Sequence, residues 1–279
     1  MPTLHYRLLN VFAETTFGGN PLAVIEDGSL LSDADMQLVA RQFNLSETTF
    51  VLPSARAAAR IRIFTPTYEM PFAGHPTLGS AQVVSELLGA GERFELEMAA
   101  GCIPVQRVAG RWTLAANPPS YRRMDASPEQ LAAMLGLPPD AIAGPAMWVN
   151  CGTEQPMIPL ASVDLVHACR PDPALMARYS TNLSGQAKTY VFARTASGFE
   201  ARYFWMTGAS SIAEDPGTGS ACANLGGWWL ATEGATPLAA EVHQARLIGR
   251  PNLLTLQVQQ GQIRVGGGVI EIGRGTLAW

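Results

Sequence analysis

The chain writes one stretch twice. Pro71-Phe72-Ala73-Gly74-His75-Pro76-Thr77-Leu78-Gly79-Ser80-Ala81 is echoed by Ser211-Ile212-Ala213-Glu214-Asp215-Pro216-Gly217-Thr218-Gly219-Ser220-Ala221. The offset is 140 (215 minus 75), and Arg62/Arg202, Phe64/Phe204, Thr67/Thr207, Ala73/Ala213, Pro76/Pro216, Gly79/Gly219 and Ser80/Ser220 all keep it. Chance agreement in Gly- and Ala-rich text is the competing explanation, and matched Pro, Phe and Arg at one offset favour a true repeat. Each copy reads as a strand, a Gly/Pro turn and a helix. Pro76 and Pro216 suit a first helical residue, where the missing N–H would lack a partner anyway. His75 and Asp215 then fall at N-cap positions, beside unpaired N–H groups and the positive end of the helix dipole. Two related halves, each offering a helix start, are expected to form one anion-binding cleft.

Several classes of function are excluded at this level. A net charge of −4 provides no basic footprint for nucleic acid. No Lys/Arg cluster or basic amphipathic stretch argues for a membrane surface, and no apolar span is long enough to cross a bilayer. The first ten residues read as a strand and lack the apolar run of a signal peptide. Cys102, Cys151, Cys169 and Cys222 are far apart and form no Cys-x-x-Cys, which points to a reduced, cytoplasmic protein with buried, inert thiols. His5, His75, His167 and His243 have no ligand spacing, so no metal is expected. Lys188 is the only lysine, which makes Schiff-base chemistry with pyridoxal phosphate improbable.

With 47% hydrophobic and 15% charged residues, the 279-residue chain can build a sizeable core. Helices are expected at Asp33–Phe43 behind a Ser32 cap, at about 76–88 ending on Gly89, from Ser127 to Met134, at 163–169, at Pro173–Tyr179 and at about 217–232. The last of these contains Gly226-Gly227, poor helix formers, followed by Trp228-Trp229-Leu230. A helix so apolar and so pinched is expected to lie enclosed by sheet. Short strands fill most of the rest, giving an α+β protein. Asn117-Pro118-Pro119-Ser120 is the best linker, dividing an N-terminal half, 1–118 joined by the C-terminal segment 269–279, from a C-terminal half, 119–268.

Standard catalytic signatures fail. Gly217-Thr218-Gly219 lacks the third glycine of a dinucleotide fingerprint, and neither a Walker loop nor a Gly-x-Ser-x-Gly elbow is present. What remains is Glu47, His75, Asp215, Thr218 and Ser220, with backbone donors at Gly74 and Gly219. Each has a purely structural alternative. Asp215 fits a helix cap, worth about 1 kcal/mol without any function. His75 is equally compatible with a satisfied core position, and Ser220 with a first-turn donor. Glu47, beside the apolar run that follows it, is either an exposed loop carboxylate or a partly buried acid/base.

Asn20-Pro21-Leu22-Ala23-Val24, Asn44-Leu45-Ser46-Glu47-Thr48, the stretch from Pro71 to Thr77, the stretch from Glu214 to Ser220, and Gly249-Arg250-Pro251 together resemble the phenazine-biosynthesis PhzF-like family, in order and spacing, from about residue 5 to Gly273. The resemblance implies the diaminopimelate epimerase-like fold: two pseudo-symmetric domains, each a β-barrel-like sheet around a central helix. It implies a homodimer and a cofactor-independent isomerase of a small anionic, carboxylated metabolite, similar to trans-2,3-dihydro-3-hydroxyanthranilate isomerase. By match, Glu47 is the general acid/base, His75 and Asp215 assist it, and Gly74, Thr218, Gly219 and Ser220 bind substrate. The chain departs from the family at Gly217, where Ala is usual, at Asn252, where Ser is usual, and at Gln244-Ala245, where Gln-Gly is common. Related racemases carry a cysteine at each helix start; by match these positions are Gly79 and Pro216, so two-thiol chemistry is not expected. Two other readings stay open: a non-catalytic small-carboxylate binding protein on the same scaffold, and a hydrolase using Ser220 and His75.

Overall fold

The computed structural model describes residues 3–278. The chain forms two compact units: one runs to Ala115 and is resumed from Gly266, and the other spans Ala116–Val265.

In the first unit β1 (Thr3–Val11), β2 (Asn20–Ile25), α1 (Asp33–Phe43), β3 (Glu47–Leu52), β4 (Ala59–Phe64), β5 (Glu69–Met70), α2 (Gly74–Leu88), β6 (Arg93–Met98), β7 (Gly101–Val108) and β8 (Arg111–Ala115) follow one another. The last strand, Val269–Ala278, returns to pair antiparallel with β1. From there the sheet continues through β2, β3, β4, β6, β7 and β8. β2/β3 and β4/β6 are parallel. Each therefore needs a crossover, supplied by α1 and α2. α1 is held by a reciprocal capping box between Ser32 and Asp35 and ends on Asn44 in the left-handed conformation. It covers one face of the sheet with Met36, Val39 and Ala40 against Ile25, Phe50 and Phe64.

α2 lies on the other face. It touches β1, β2, β3, β4, β8 and the last strand, so the sheet wraps around it. Leu78, Ala81, Val83 and Val84 are almost wholly buried. Each large aliphatic among them contributes roughly 1.5–3 kcal/mol. A methyl group built on Gly79 would stand 2.4 Å from Leu22 Cδ2 and 3.0 Å from Val11 Cγ2, so only glycine lets the helix lie this close to β1 and β2.

The second unit contains β9 (Ser120–Arg123), α3 (Pro128–Met134), β10 (Met147–Asn150), β11 (Glu154–Pro159), α4 (Val163–Ala168), α5 (Pro173–Tyr179), β12 (Lys188–Arg194), β13 (Gly198–Met206), β14 (Ile212–Asp215), α6 (Gly219–Glu233), β15 (Leu238–Gln244), β16 (Asn252–Gln259) and β17 (Gln262–Gly267). Its connectivity copies that of the first. β9, β10 and β11 are antiparallel, β11/β12 parallel, β12/β13 antiparallel, β13/β15 parallel and β15/β16 antiparallel. The short strands correspond too, β14 lying on β13 as β5 lies on β4. α3, α4 and α5 cover the outer face with Leu131, Met134, Val166 and Met176. α6 packs inside against β10, β11 and β16.

The repeat is real, but its register changes along the chain. Arg62 and Arg202, 140 apart, do the same work: each makes a two-pronged bond to a glutamate of the neighbouring short strand, Glu69 at 2.7 and 2.6 Å and Glu214 at 2.9 and 2.7 Å. Each also lies over the phenylalanine two residues on. Past this point the second copy has five more residues. Gly74 and Gly219 begin helices of 15 residues, and Gly89 and Gly234 cap them, all 145 apart (219 minus 74). The expected pairing of His75 with Asp215 is therefore corrected: His75 and Ser220 occupy the same place, the second residue of the central helix. Nor are His75 and Asp215 N-caps, since those positions belong to Ala73 and Thr218. Pro76 is the third helical residue, still within the turn whose N–H groups need no helical partner, and Pro216 precedes the helix.

Gly226 and Gly227 confirm the close packing expected of α6. A methyl on Gly227 would come within 2.7 Å of Val149 Cγ1 and 3.0 Å of Pro119 Cβ, with Cys151 Sγ at 3.4 Å. Gly227→Ala gains about 1 kcal/mol of helix propensity, against an overpacking cost of about 1–3 kcal/mol. The expected net loss lowers the urea midpoint; an unchanged or raised midpoint contradicts this packing.

Candidate active site

In the first unit the parallel pairing of β2 with β3 sets Glu47 opposite Leu22, next to the Asn20-Pro21 start of β2. α2 begins beside them. The Glu47 and His75 side chains are only 15% and 7% exposed, with Glu47 Oε2 at 3.4 Å from His75 Nε2. Two residues along β3, Thr49 Oγ1 is 2.9 Å from Ser80 Oγ, both fully buried. Glu47 and Thr49 share a face of the strand, so these two contacts fix how α2 lies along β3. Glu47 is thus a shielded carboxyl group in β3 and not an exposed loop residue.

Burial holds the imidazole of His75 neutral, pushing its pKa down to about 3 from an ordinary 6.5, against the partly compensating bond to the carbonyl of Pro21. A carbonyl can only accept, so the ring nitrogen facing Pro21 carries the hydrogen. Nε2 has no bond to protein and turns its lone pair toward Glu47. This tautomer follows from the partners.

In the second unit Asp215 ends β14, three residues before the N-cap Thr218. The Thr218 hydroxyl donates to Asp215 Oδ2. Gln244, fully buried, organises both: its Nε2 donates to the Asp215 carbonyl at 2.8 Å and to Thr218 Oγ1 at 3.0 Å, and its Oε1 accepts from the Thr218 N–H at 3.3 Å. Ser220, half-buried, takes a bond from Gln155 Nε2 at 3.0 Å. The bonding of Gln155 and Gln244 has no signature in the sequence, where a buried glutamine looks like any other.

The two central helices differ from the others at their starts. α1, α3, α4 and α5 are each capped by a side chain, from Ser32, Ser127, Ser162 and Asp172. α2 and α6 have no side-chain cap bond. Their first-turn N–H groups, from Gly74 and His75 in one and Gly219, Ser220 and Ala221 in the other, are left for another acceptor, with the positive dipole end behind them. Such a place suits an anion.

Neither helix start carries a thiol. Gly79 lies well inside α2 and Pro216 lies before α6, so the positions matched to the racemase cysteines are not the helix starts themselves. Cys222, the fourth residue of α6, is fully buried, and burial pushes its thiol well above the ordinary range. Burial also pushes Cys151 and Cys169 up to about 12. Cys102 is half-buried. Among the described residues no group of three or more His, Cys, Asp or Glu could hold a metal ion, and no helix is long and apolar enough to cross a membrane.

The family model for phenazine biosynthesis-like protein, PhzC-PhzF, matches residues 9–271. An uncharacterized isomerase of Pasteurella multocida is 42% identical over 276 residues, covering 98% of this chain and 93% of that protein. A trans-2,3-dihydro-3-hydroxyanthranilate isomerase of Pseudomonas fluorescens is 33% identical over 289 residues, covering 98% and 99%. The crystal structure of a Bacillus anthracis phenazine biosynthesis protein of the PhzF family has a TM-score of 0.89 over 100% of both chains, at 24% identity. The class of protein is an isomerase on the epimerase-like α+β fold. The chain belongs to the phenazine biosynthesis-like, PhzC-PhzF, family.

The neutral imidazole has a measurable consequence. Below pH 6.5 the unfolded chain protonates His75, whereas the folded protein does so only near pH 3. Stability fully present above pH 6.5 is therefore lost as pH falls through this window. The urea midpoint of the wild type is expected to fall between pH 6.5 and 4 more steeply than that of His75→Gln; equal slopes contradict a neutral His75.

Proposed function

We propose that the protein is a cofactor-independent isomerase of a small carboxylated metabolite, moving one proton between two carbons with Glu47 as the shuttle. The observation that carries this is a shielded carboxyl group set against an imidazole that stays neutral. Glu47 removes a proton next to an unsaturated carbon. The charge left behind delocalises toward the substrate's carboxylate, where the first-turn N–H groups of α6 at Gly219 and Ser220 stabilise it. Between the two transfers Glu47 carries the proton, and its O–H has the lone pair of His75 Nε2 as a partner. The same carboxyl group then returns the proton at another carbon. Asp215, fixed by Thr218, takes the substrate's polar groups.

The Pseudomonas fluorescens relative supports trans-2,3-dihydro-3-hydroxyanthranilate as the first compound to try. Shielding of Glu47 favours an enzyme over a passive binder of carboxylates. The hydrolase reading loses support because Ser220 is bonded to an amide, which cannot serve as a base. Glu47→Gln keeps the shape of the side chain and removes its ability to shuttle. With that compound as substrate in deuterated water, the variant is expected to lose a factor of about 10² or more in kcat, with an unchanged circular dichroism spectrum. Turnover and deuterium uptake at the wild-type rate would reject the role of Glu47.

A further inference from the structure

The hydrogen bonds around Ser220 have a direction that can be read from one end to the other. The backbone N–H of Cys151 can only donate, and it donates to Asn224 Oδ1 at 2.8 Å. This orients the Asn224 amide, whose Nδ2 then donates to the carbonyl of Thr153 at 2.8 Å and to Gln155 Oε1 at 2.7 Å. With its oxygen facing Asn224, Gln155 must turn its Nε2 to Ser220 Oγ, which accepts at 3.0 Å. Asn224 and Gln155 are almost wholly buried, so neither amide can exchange these partners for water. Ser220 consequently keeps its own hydrogen. Among the described residues its hydroxyl has no acceptor, and it sits within the uncapped first turn of α6.

His75, at the corresponding place in α2, is held the other way round. Pro21 and Gln155 are each the second residue of the strand that follows the first hairpin of their copy. Pro21 offers a carbonyl, so His75 gives its hydrogen to the protein and shows a lone pair. Gln155 offers an amide N–H, so Ser220 gives its lone pair to the protein and shows a hydrogen. The strand partner thus decides whether the helix start presents an acceptor or a donor.

We propose that Gln155 is a positioning residue that fixes Ser220 as a hydrogen-bond donor to the substrate's carboxylate. The proposal rests on the function proposed above, in which the α6 start holds that carboxylate. The amide of Gln155 never meets the substrate; it acts by denying Ser220 the choice of pointing its hydrogen inward.

Anthranilate and its neutral counterpart anthranilamide are suitable probes, titrated by calorimetry against the wild type, Gln155→Met, Ser220→Ala and the double variant. The readout is the preference for the carboxylate over the amide, which a general loosening of the fold would not move. Gln155→Met is expected to reduce that preference about threefold to tenfold, the range of one neutral hydrogen bond, and to have no further effect once Ser220 is alanine. An unchanged preference in Gln155→Met, or an equal loss in the Ser220→Ala background, overturns the role of Gln155 while leaving the carboxylate site standing. An unchanged preference in Ser220→Ala removes the carboxylate site itself, and the proposal with it. If Gln155→Met does not fold, a crystal structure of the wild type with anthranilate decides: Ser220 Oγ must lie within hydrogen-bond distance of both Gln155 Nε2 and a carboxylate oxygen, and a hydroxyl turned from the ligand overturns the proposal.

Discussion

A helix surrounded by sheet has little room for side chains and nowhere to send its unpaired ends except out of the open mouth of the wrapping. α2 and α6 meet the first demand with Gly79, Gly226 and Gly227, where the sheet's own side chains fill the space a methyl would need. They meet the second by leaving their first turns uncapped, while every helix on an outer face has a serine or aspartate over its start. Capping is worth about 1 kcal/mol, so its absence at these two ends is a standing cost that a bound anion would offset. The candidate chemistry lies where the packing leaves donors unspent.

The duplicated scaffold carries different chemistry in its two copies. The features that hold the architecture together are shared: the arginine bonded to a short-strand glutamate and stacked on phenylalanine, the parallel crossovers, and the glycine at the helix end. The groups at the helix starts are not. Glu47 has no counterpart at the start of β12, where Lys188 stands. The second helical residue is a buried imidazole in one copy and a half-buried hydroxyl in the other. The frame is kept while the tip changes, so the two helix starts present different groups, an imidazole in one copy and a hydroxyl in the other.

Local patterns were enough to place most elements. The Ser32 and Ser127 caps and the terminal glycine of α2 are signals carried within a few residues. The α+β class followed from them, and the Gly226-Gly227 pair announced an enclosed helix. What could not be read locally was the register of the repeat beyond Phe204. The extra residues between β13 and β14 are polar and small, and a fixed offset across them still matched Pro with Pro and Ser with Ser. Only the three-dimensional positions show that helix begins with helix at a different spacing. The burial of Glu47 was also out of reach, because it depends on β2 pairing parallel to β3 from across α1. Gln155, Asn224 and the bonding of Gln244 were out of reach for a related reason: a buried amide is defined by what surrounds it, and its surroundings come from strands far away in the chain.

The strand that completes the first unit is the last one in the sequence, Val269–Ala278, paired along β1. The second unit is one uninterrupted run of chain. On the ribosome, where domains close as their residues emerge, the unit begun first must wait with one edge of β1 bare until Val269–Ala278 has emerged, whereas every residue of the inserted unit emerges before that strand. The order in which the units can be completed is thereby the reverse of the order in which they begin, and until then the open edge of β1 is free to pair with another strand.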